Sequence, residues 1–98
     1  MKRSFKAKDG KAHEGRVDMA EIAEHLQDKY NVRCDTFLEV FGPDYGTCHL
    51  MMYFQDLVAF EEFGSQLGSD EEFGAIHKKE ADISIEGSVT QALLHSSA

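Results

Sequence analysis

The feature that most constrains this chain is a reversal between two alternating runs: VRCDTFLEVF, then GPDYG, then TCHLMMYF. Gly42, Pro43, Asp44 and Gly46 supply the restricted and positive φ values a reversal needs, so residues Val32 to Phe54 read as a long β-hairpin. With Asp44 at its centre, Cys34, Thr36, Leu38 and Val40 lie opposite Phe54, Met52, Leu50 and Cys48 on an almost wholly apolar face. The other face pairs Asp35 with Tyr53, Phe37 with Met51, Glu39 with His49 and Phe41 with Thr47, a mixture of aromatic, sulfur and ionisable groups. The first face is expected to be core, and the second an interface or a pocket. One bulge in the hairpin would exchange the partners.

The flanking segments suggest the rest of the architecture. RSFKAK, ahead of Asp9-Gly10, alternates as a short strand with Phe5 and Ala7 on one face. From about Lys11 to Tyr30, Val17, Met19, Ala20, Ile22, Ala23, Leu26 and Tyr30 recur at helical spacing, with Glu14, Asp18, Glu21, Glu24, Gln27 and Asp28 between them. Asn31 suits a left-handed cap before Val32. After the hairpin, Asp56 is placed to cap a second helix with Leu57, Phe60, Phe63 and Leu67 as its stripe, weakened by Gly64 and Gly68. Ser69 with Glu72 reads as a capping box for a shorter third helix that turns Phe73 and Ile76 inward and carries His77, Lys78, Lys79 and Glu80 in its last turns, where the lysines suit the negative end. Residues 82–94 alternate as a final strand with Ile83, Ile85 and Val89 on one side and a bend at Gly87, and the closing HSSA is expected to fray.

Strand, helix, strand, strand, helix pair, strand is the order of a ferredoxin-like α+β fold, βαββαβ, with a four-stranded antiparallel sheet and the helices on one face. The 98 residues, 42% of them apolar, are expected to form a single domain spanning 1–98, small enough to benefit from burying more surface in an oligomer. Phe37, Phe41, Met51 and Tyr53 lie on the face the helices leave open, and apolar patches of that kind mark interfaces or ligand sites, so a homodimer with facing sheets is expected.

Charge and composition exclude several classes of function. Eighteen acidic against ten basic residues give a net charge of −8, a surface that repels a phosphate backbone, so no nucleic-acid partner is expected. There is no apolar run of membrane-spanning length and no charged segment leading into an apolar signal, so a cytoplasmic protein without a membrane partner is expected. Cys34 and Cys48 fall six positions apart along the hairpin in this register, too far for a disulfide, and read as two buried free thiols. The five histidines show no metal-ligand spacing; no metal or cofactor is implied, and His77 at a helix end reads as a surface residue against the helix dipole rather than a haem ligand. GPDYG opens a strand rather than a helix, which argues against a nucleotide cradle.

RSFKAKDGKAHEG resembles the opening strand, Gly-Lys turn and helix of NIPSNAP-like proteins, and EVFGPDYGTCHLMMYFQDLVAFEEFGSQLGSDEEF resembles the middle hairpin and following helix of that family. The similarity runs to about Phe73. The resemblance implies the dimeric α+β barrel superfamily, in which two ferredoxin-like sheets pack face to face and a cavity lies between sheet and helices or within the joint barrel. That superfamily includes cofactor-free monooxygenases, haem-degrading enzymes, polyketide cyclases and an isomerase, so the fold does not choose the chemistry.

Two functions follow as expectations. In the first, the dimer binds an apolar small molecule, a long acyl chain or an aromatic, since Met and Phe make adaptable walls; Phe37, Met51, Arg33 and Asp35 are its candidate contacts, with Arg33 also able to pair with Asp35. In the second, it is a cofactor-free monooxygenase, isomerase or cyclase acting on an aromatic or polyketide-like substrate. There Glu39 across from His49 would hold the imidazole as a general base, with Tyr53 orienting a carbonyl or phenol. Ordinary cross-strand polar pairs at a dimer interface account for the same residues more simply.

Overall fold

The hairpin forms, but it closes two residues out of the register that a centre at Asp44 demands. Strands β2 (Arg33–Leu38) and β3 (Thr47–Tyr53) pair Arg33 with Tyr53, Cys34 with Met52, Asp35 with Met51, Thr36 with Leu50, Phe37 with His49 and Leu38 with Cys48. The cause lies in the loop. Gly46 N–H donates to the Glu39 carbonyl at 3.0 Å while Glu39 N–H donates to the Thr47 carbonyl at 3.0 Å, so Gly46 and Thr47 together oppose Glu39. Gly46 has φ 86°, which makes this a bulge built on a left-handed glycine. A shift of two residues changes every partner and leaves every face unchanged. Of the expected core face, Cys34, Cys48, Leu50 and Met52 are buried, whereas Thr36 is exposed and Val40, past the end of β2, is 68% exposed. The expected pairing of Glu39 with His49 is not found: Glu39 faces Thr47, and His49 faces Phe37.

The computed structural model describes residues 1–94, so the expectation for the closing HSSA, His95 included, lies outside the described residues. The elements are β1 (Lys2–Lys6), α1 (Ala12–Tyr30), β2, β3, α2 (Leu57–Leu67), α3 (Glu71–Ile83) and β4 (Thr90–Ala92). The four strands form one antiparallel sheet in the order β2-β3-β1-β4, compatible with a ferredoxin-like fold, with three helices among the described residues.

Local signals account for most boundaries. Asn31 ends α1 in the left-handed conformation, φ 55°, and the Asp56 carboxylate accepts from Ala59 N–H at 2.8 Å to start α2. The third helix is capped by Asp70, which accepts from Phe73 N–H at 3.0 Å; Ser69, the expected cap, instead donates its hydroxyl to the Gln66 carbonyl. Helix α3 also runs further than expected, because Ile76, Glu80 and Ile83 form one buried helical stripe. The alternation from Ile83 that suggested a strand over 82–94 is thus partly helix. After it, Ser88 N–H donates to the Ile85 carbonyl across a turn with Gly87 at φ 79°, leaving β4 only three residues at the sheet edge. The lysines Lys78 and Lys79 consequently lie before the last turn, which has no basic residue.

The core is the inner sheet face against α1 and α3. Phe5, Met19, Leu26, Cys48 and Leu50 are its most enclosed side chains. Helix α1 reaches the sheet closely at Gly15, where an added Cβ would lie 2.9 Å from Cys48 Sγ and 3.3 Å from Phe5 Cε2. Gly64 in α2 is the opposite case: a Cβ there meets nothing within 4 Å. Gly15→Ala is expected to destabilise the fold by roughly 1–3 kcal/mol through overpacking, partly relieved by adding Cys48→Ala. Gly64→Ala should stabilise it by roughly 0.5–1 kcal/mol through helix propensity. Urea unfolding of the four proteins measures both signs and the coupling.

Candidate functional site

Helix α2 does not close fully onto the sheet. Its partly apolar surface leaves Leu57 and Val58 exposed and buries Phe63 alone, and Gly64 supplies no side chain to fill the space beside it. The result is an apolar slot of about 250 Å³, walled by Leu50 and Met52 from the sheet, Ile22 and Leu26 from α1, Phe60, Phe63 and Leu67 from α2 and Phe73 from α3. Arg3, His77 and Gln91 supply its polar lining. A wider groove of about 510 Å³, lined by Phe54, Leu57, Leu93 and Leu94 among others, shares Met1 and Phe60 with the slot.

The polar lining follows from the strand period. Arg3 shares parity with Phe5 on β1, so it points to the helix side of the sheet, directly across from Gln91 of β4. There its Nη1 meets the buried Glu80 carboxylate of α3 at 2.5 Å and its Nη2 lies 3.0 Å from His77 Nε2. A guanidinium has only donors, so His77 Nε2 accepts and the imidazole proton sits on Nδ1. His77 lies in mid-helix beside Phe73, ring centroids 5.7 Å apart, and not at the helix end expected for it.

Asp18 belongs to the same polar layer. The helical pattern placed it among the outward residues, yet it is 3% exposed, with neither carboxylate oxygen hydrogen-bonded. Burial first, then the charges of Glu80 and Glu21, push its carboxyl up to about 6, against partial relief from Lys79 and Arg3. Cys48 feels the same carboxylates; burial above all, then Asp18 and Glu80, push its thiol up to about 11. Cys34 is likewise pushed up to about 11, mainly by burial, and both cysteines are free. In the observed register they sit four positions apart rather than six, roughly 13 Å at strand rise and still beyond disulfide reach.

A second buried polar group is structural. Tyr30 donates its hydroxyl to Asp70 at 2.5 Å, His25 Nε2 lies 2.8 Å from the same oxygen, and Lys29 Nζ 3.3 Å from it. These bonds tie the end of α1 to the cap of α3. The Tyr30 and His25 hydrogen bonds hold Asp70 well below the usual carboxylate range, and the Asp70 bond pushes the Tyr30 hydroxyl up to about 12.

The residues expected to form a site lie on the outer sheet face. Phe37, His49 and Met51, with Lys2 and Leu94, line a hollow of about 300 Å³. The near polar partner of His49 is Ser4 of β1, whose hydroxyl is 2.7 Å from Nδ1. Glu39 is drawn away by the bulge; its carboxylate lies against Gly42, one oxygen buried and unpartnered. Tyr53 is four residues along β3 from His49, at the far end of the face. There Arg33 stacks over its ring at 4.8 Å, and a hydrogen bond with Asp35 raises its hydroxyl pKa. Arg33 does approach Asp35, at 3.8 Å between exposed side chains, a pair worth little in water.

Phe37, His49 and Met51, expected on one face, do lie together; the inner polar layer was missed, though Arg3 shares strand parity with Phe5 and Glu80 lies four residues from Ile76. Among the described residues, no group of three His, Cys, Asp or Glu side chains could hold a metal ion, and no helix is long and apolar enough to cross a membrane. No family model, curated protein or solved structure matches the chain.

Because the Asp18 carboxyl is pushed up to about 6 from an ordinary 3.8, the folded state holds its proton more tightly than the unfolded state does. Its penalty is absent at and below the ordinary value, grows as pH rises toward the folded value, and is complete above it. Asp18→Asn is therefore expected to stabilise the protein by roughly 2 kcal/mol at slightly alkaline pH and by little in acid, as read from urea unfolding across the range.

Proposed function

We propose that this protein binds a small apolar molecule, a medium acyl chain or a flat aromatic, in the slot between its sheet and helices. The slot itself carries this reading: it is enclosed by aliphatic and aromatic side chains, with a few polar groups at one side, which is the usual composition of a small-molecule site. Its volume lies just under the common range for drug-sized ligands, so the occupant is small, with room to extend along the adjoining groove.

The functional unit in this reading is a homodimer joined through the outer sheet faces, the dimeric α+β barrel that the resemblance to NIPSNAP-like proteins implies. Phe37 is 56% exposed and Tyr53 44% exposed on that face, and Phe41 at the hairpin tip is 94% exposed, a patch that a second copy would cover. Two buried free thiols suit the reducing cytoplasm. The enzyme alternative rested on Glu39 facing His49 and draws no support from the observed register.

Titration with the neutral fluorophore N-phenyl-1-naphthylamine should show saturable binding, and Gly64→Leu, which adds a side chain to the lining of the slot, should weaken it at least tenfold with the circular dichroism unchanged. No binding, or binding indifferent to Gly64→Leu, overturns the slot as the site. Sedimentation velocity at micromolar concentration should show a dimer, with Phe37→Asp shifting it to monomer; a stable wild-type monomer sinks the outer-face interface.

A further inference from the structure

We propose that the hairpin tip of one copy, led by Phe41, docks against the apolar groove of a second copy and covers the open side of that groove beside the slot, each copy doing so to the other. This rests on the dimer reading above.

Three observations lead there. The first is an anchor without a seat. Phe41 is 94% exposed, and Val40 and Tyr45 beside it are also exposed, so the tip holds three large apolar side chains in water. The tip is nonetheless ordered by its own backbone: Glu39 N–H donates to the Thr47 carbonyl, Gly46 N–H to the Glu39 carbonyl and Tyr45 N–H to the Gly42 carbonyl. An aromatic ring held ready in this way loses little freedom on docking, which suits it to anchor an interface.

The second is a seat without an anchor. The groove of about 510 Å³ is walled by Phe54, Leu57, Phe60, Leu93 and Leu94, and its three leucines are each more than half exposed. Leu94 also lines the outer hollow, so the groove opens onto the face through which the two sheets meet. An apolar surface of this kind is completed by a partner's apolar side chain.

The third is placement and charge. In the order β2-β3-β1-β4 the tip joins β2 to β3 at one end of the sheet, whereas Met1, Leu93 and Leu94 stand at the other end on the β1–β4 side. Tip and groove thus occupy opposite corners. A two-fold axis running diagonally between facing sheets exchanges opposite corners, so one closed dimer satisfies both contacts at once. The charges agree with this placement. Residues 39–46 carry Glu39 and Asp44 and no basic residue. At the groove end, Lys2 pairs with no carboxylate among the described residues, and the Met1 ammonium meets only the Met52 carbonyl. The carboxylate of the groove itself, Asp56, is engaged by Ala59 N–H. An acidic tip therefore meets a basic end, which sets the orientation of the pair.

The experiment places thiols on the tip and in the groove. The double variant Phe41→Cys with Leu57→Cys is air-oxidised at micromolar concentration and run on a non-reducing gel beside each single variant; the native Cys34 and Cys48 are buried and take no part. The double variant should become a covalent dimer, and each single variant should stay uncross-linked. Phe41→Ser, at an exposed position, should keep the circular dichroism, weaken the dimer about tenfold or more in sedimentation, and weaken N-phenyl-1-naphthylamine binding about threefold or more, because a wall of the groove leaves with the ring. Cross-linking of Phe41→Cys alone would put the two tips together and overturn the pairing of tip with groove. No cross-link in the double variant overturns it as well, as does a dimer that Phe37→Asp breaks and Phe41→Ser leaves intact; the outer-face dimer then stands without it. Fluorophore binding indifferent to Phe41→Ser overturns the tip as a wall of the site. A monomeric wild type overturns the dimer and this inference together.

Discussion

An arginine on the inner face of a central strand has to be neutralised before helices can cover it. Arg3 is in that position, and the Glu80 carboxylate on the inward stripe of α3 meets it. Removing either partner would leave a buried charge uncompensated, at a cost on the order of 3–5 kcal/mol, so the pair fixes where α3 crosses the sheet. His77 follows by helical spacing, three residues earlier, and completes the polar layer that borders the slot.

The other helices are held by different means, and the difference explains where the gap lies. Helix α1 is drawn in by the absent side chain of Gly15 and tied to the start of α3 through Tyr30, His25 and Asp70. Helix α2 has no such buried tie. Its attachment is aromatic: Phe63 meets Tyr30 at 5.4 Å and Phe54 at 5.1 Å, and Phe60 meets Phe54 at 5.2 Å. Such pairs hold an element without closing it down to interior density, which is how a slot survives between α2 and the sheet.

The two faces of the sheet therefore carry unlike chemistry. Inside, ionisable groups are buried and mutually constrained, with Asp18 shifted up by burial and Glu80 occupied by Arg3. Outside, Arg33, Asp35 and Tyr53 interact in water, and the apolar members Phe37 and Met51 lie beside His49, itself bonded to Ser4. The slot and the outer hollow can thus be altered separately, since they share no residue.

Much of the fold was legible in the sequence because it depends on short-range rules. Alternation assigned Cys34, Cys48, Leu50 and Met52 to the core face, Asn31 and Asp56 marked helix ends, and strand and helix order indicated a four-stranded antiparallel sheet beside helices. The same rules assigned Phe37, His49 and Met51 to one outer face. What they could not settle was which residue met which. Faces repeat every two residues, so the loop could close the strands two residues away from the expected register and separate Glu39 from His49 with the hydrophobic pattern undisturbed. In the same way, Ile83 fits a strand alternation and a helical stripe equally well until Glu80 is needed opposite Arg3. Asp18 reads as a surface carboxylate until α1 comes close at Gly15. The site was decided there, by contacts between segments far apart in the chain, for which local periodicity carries no information.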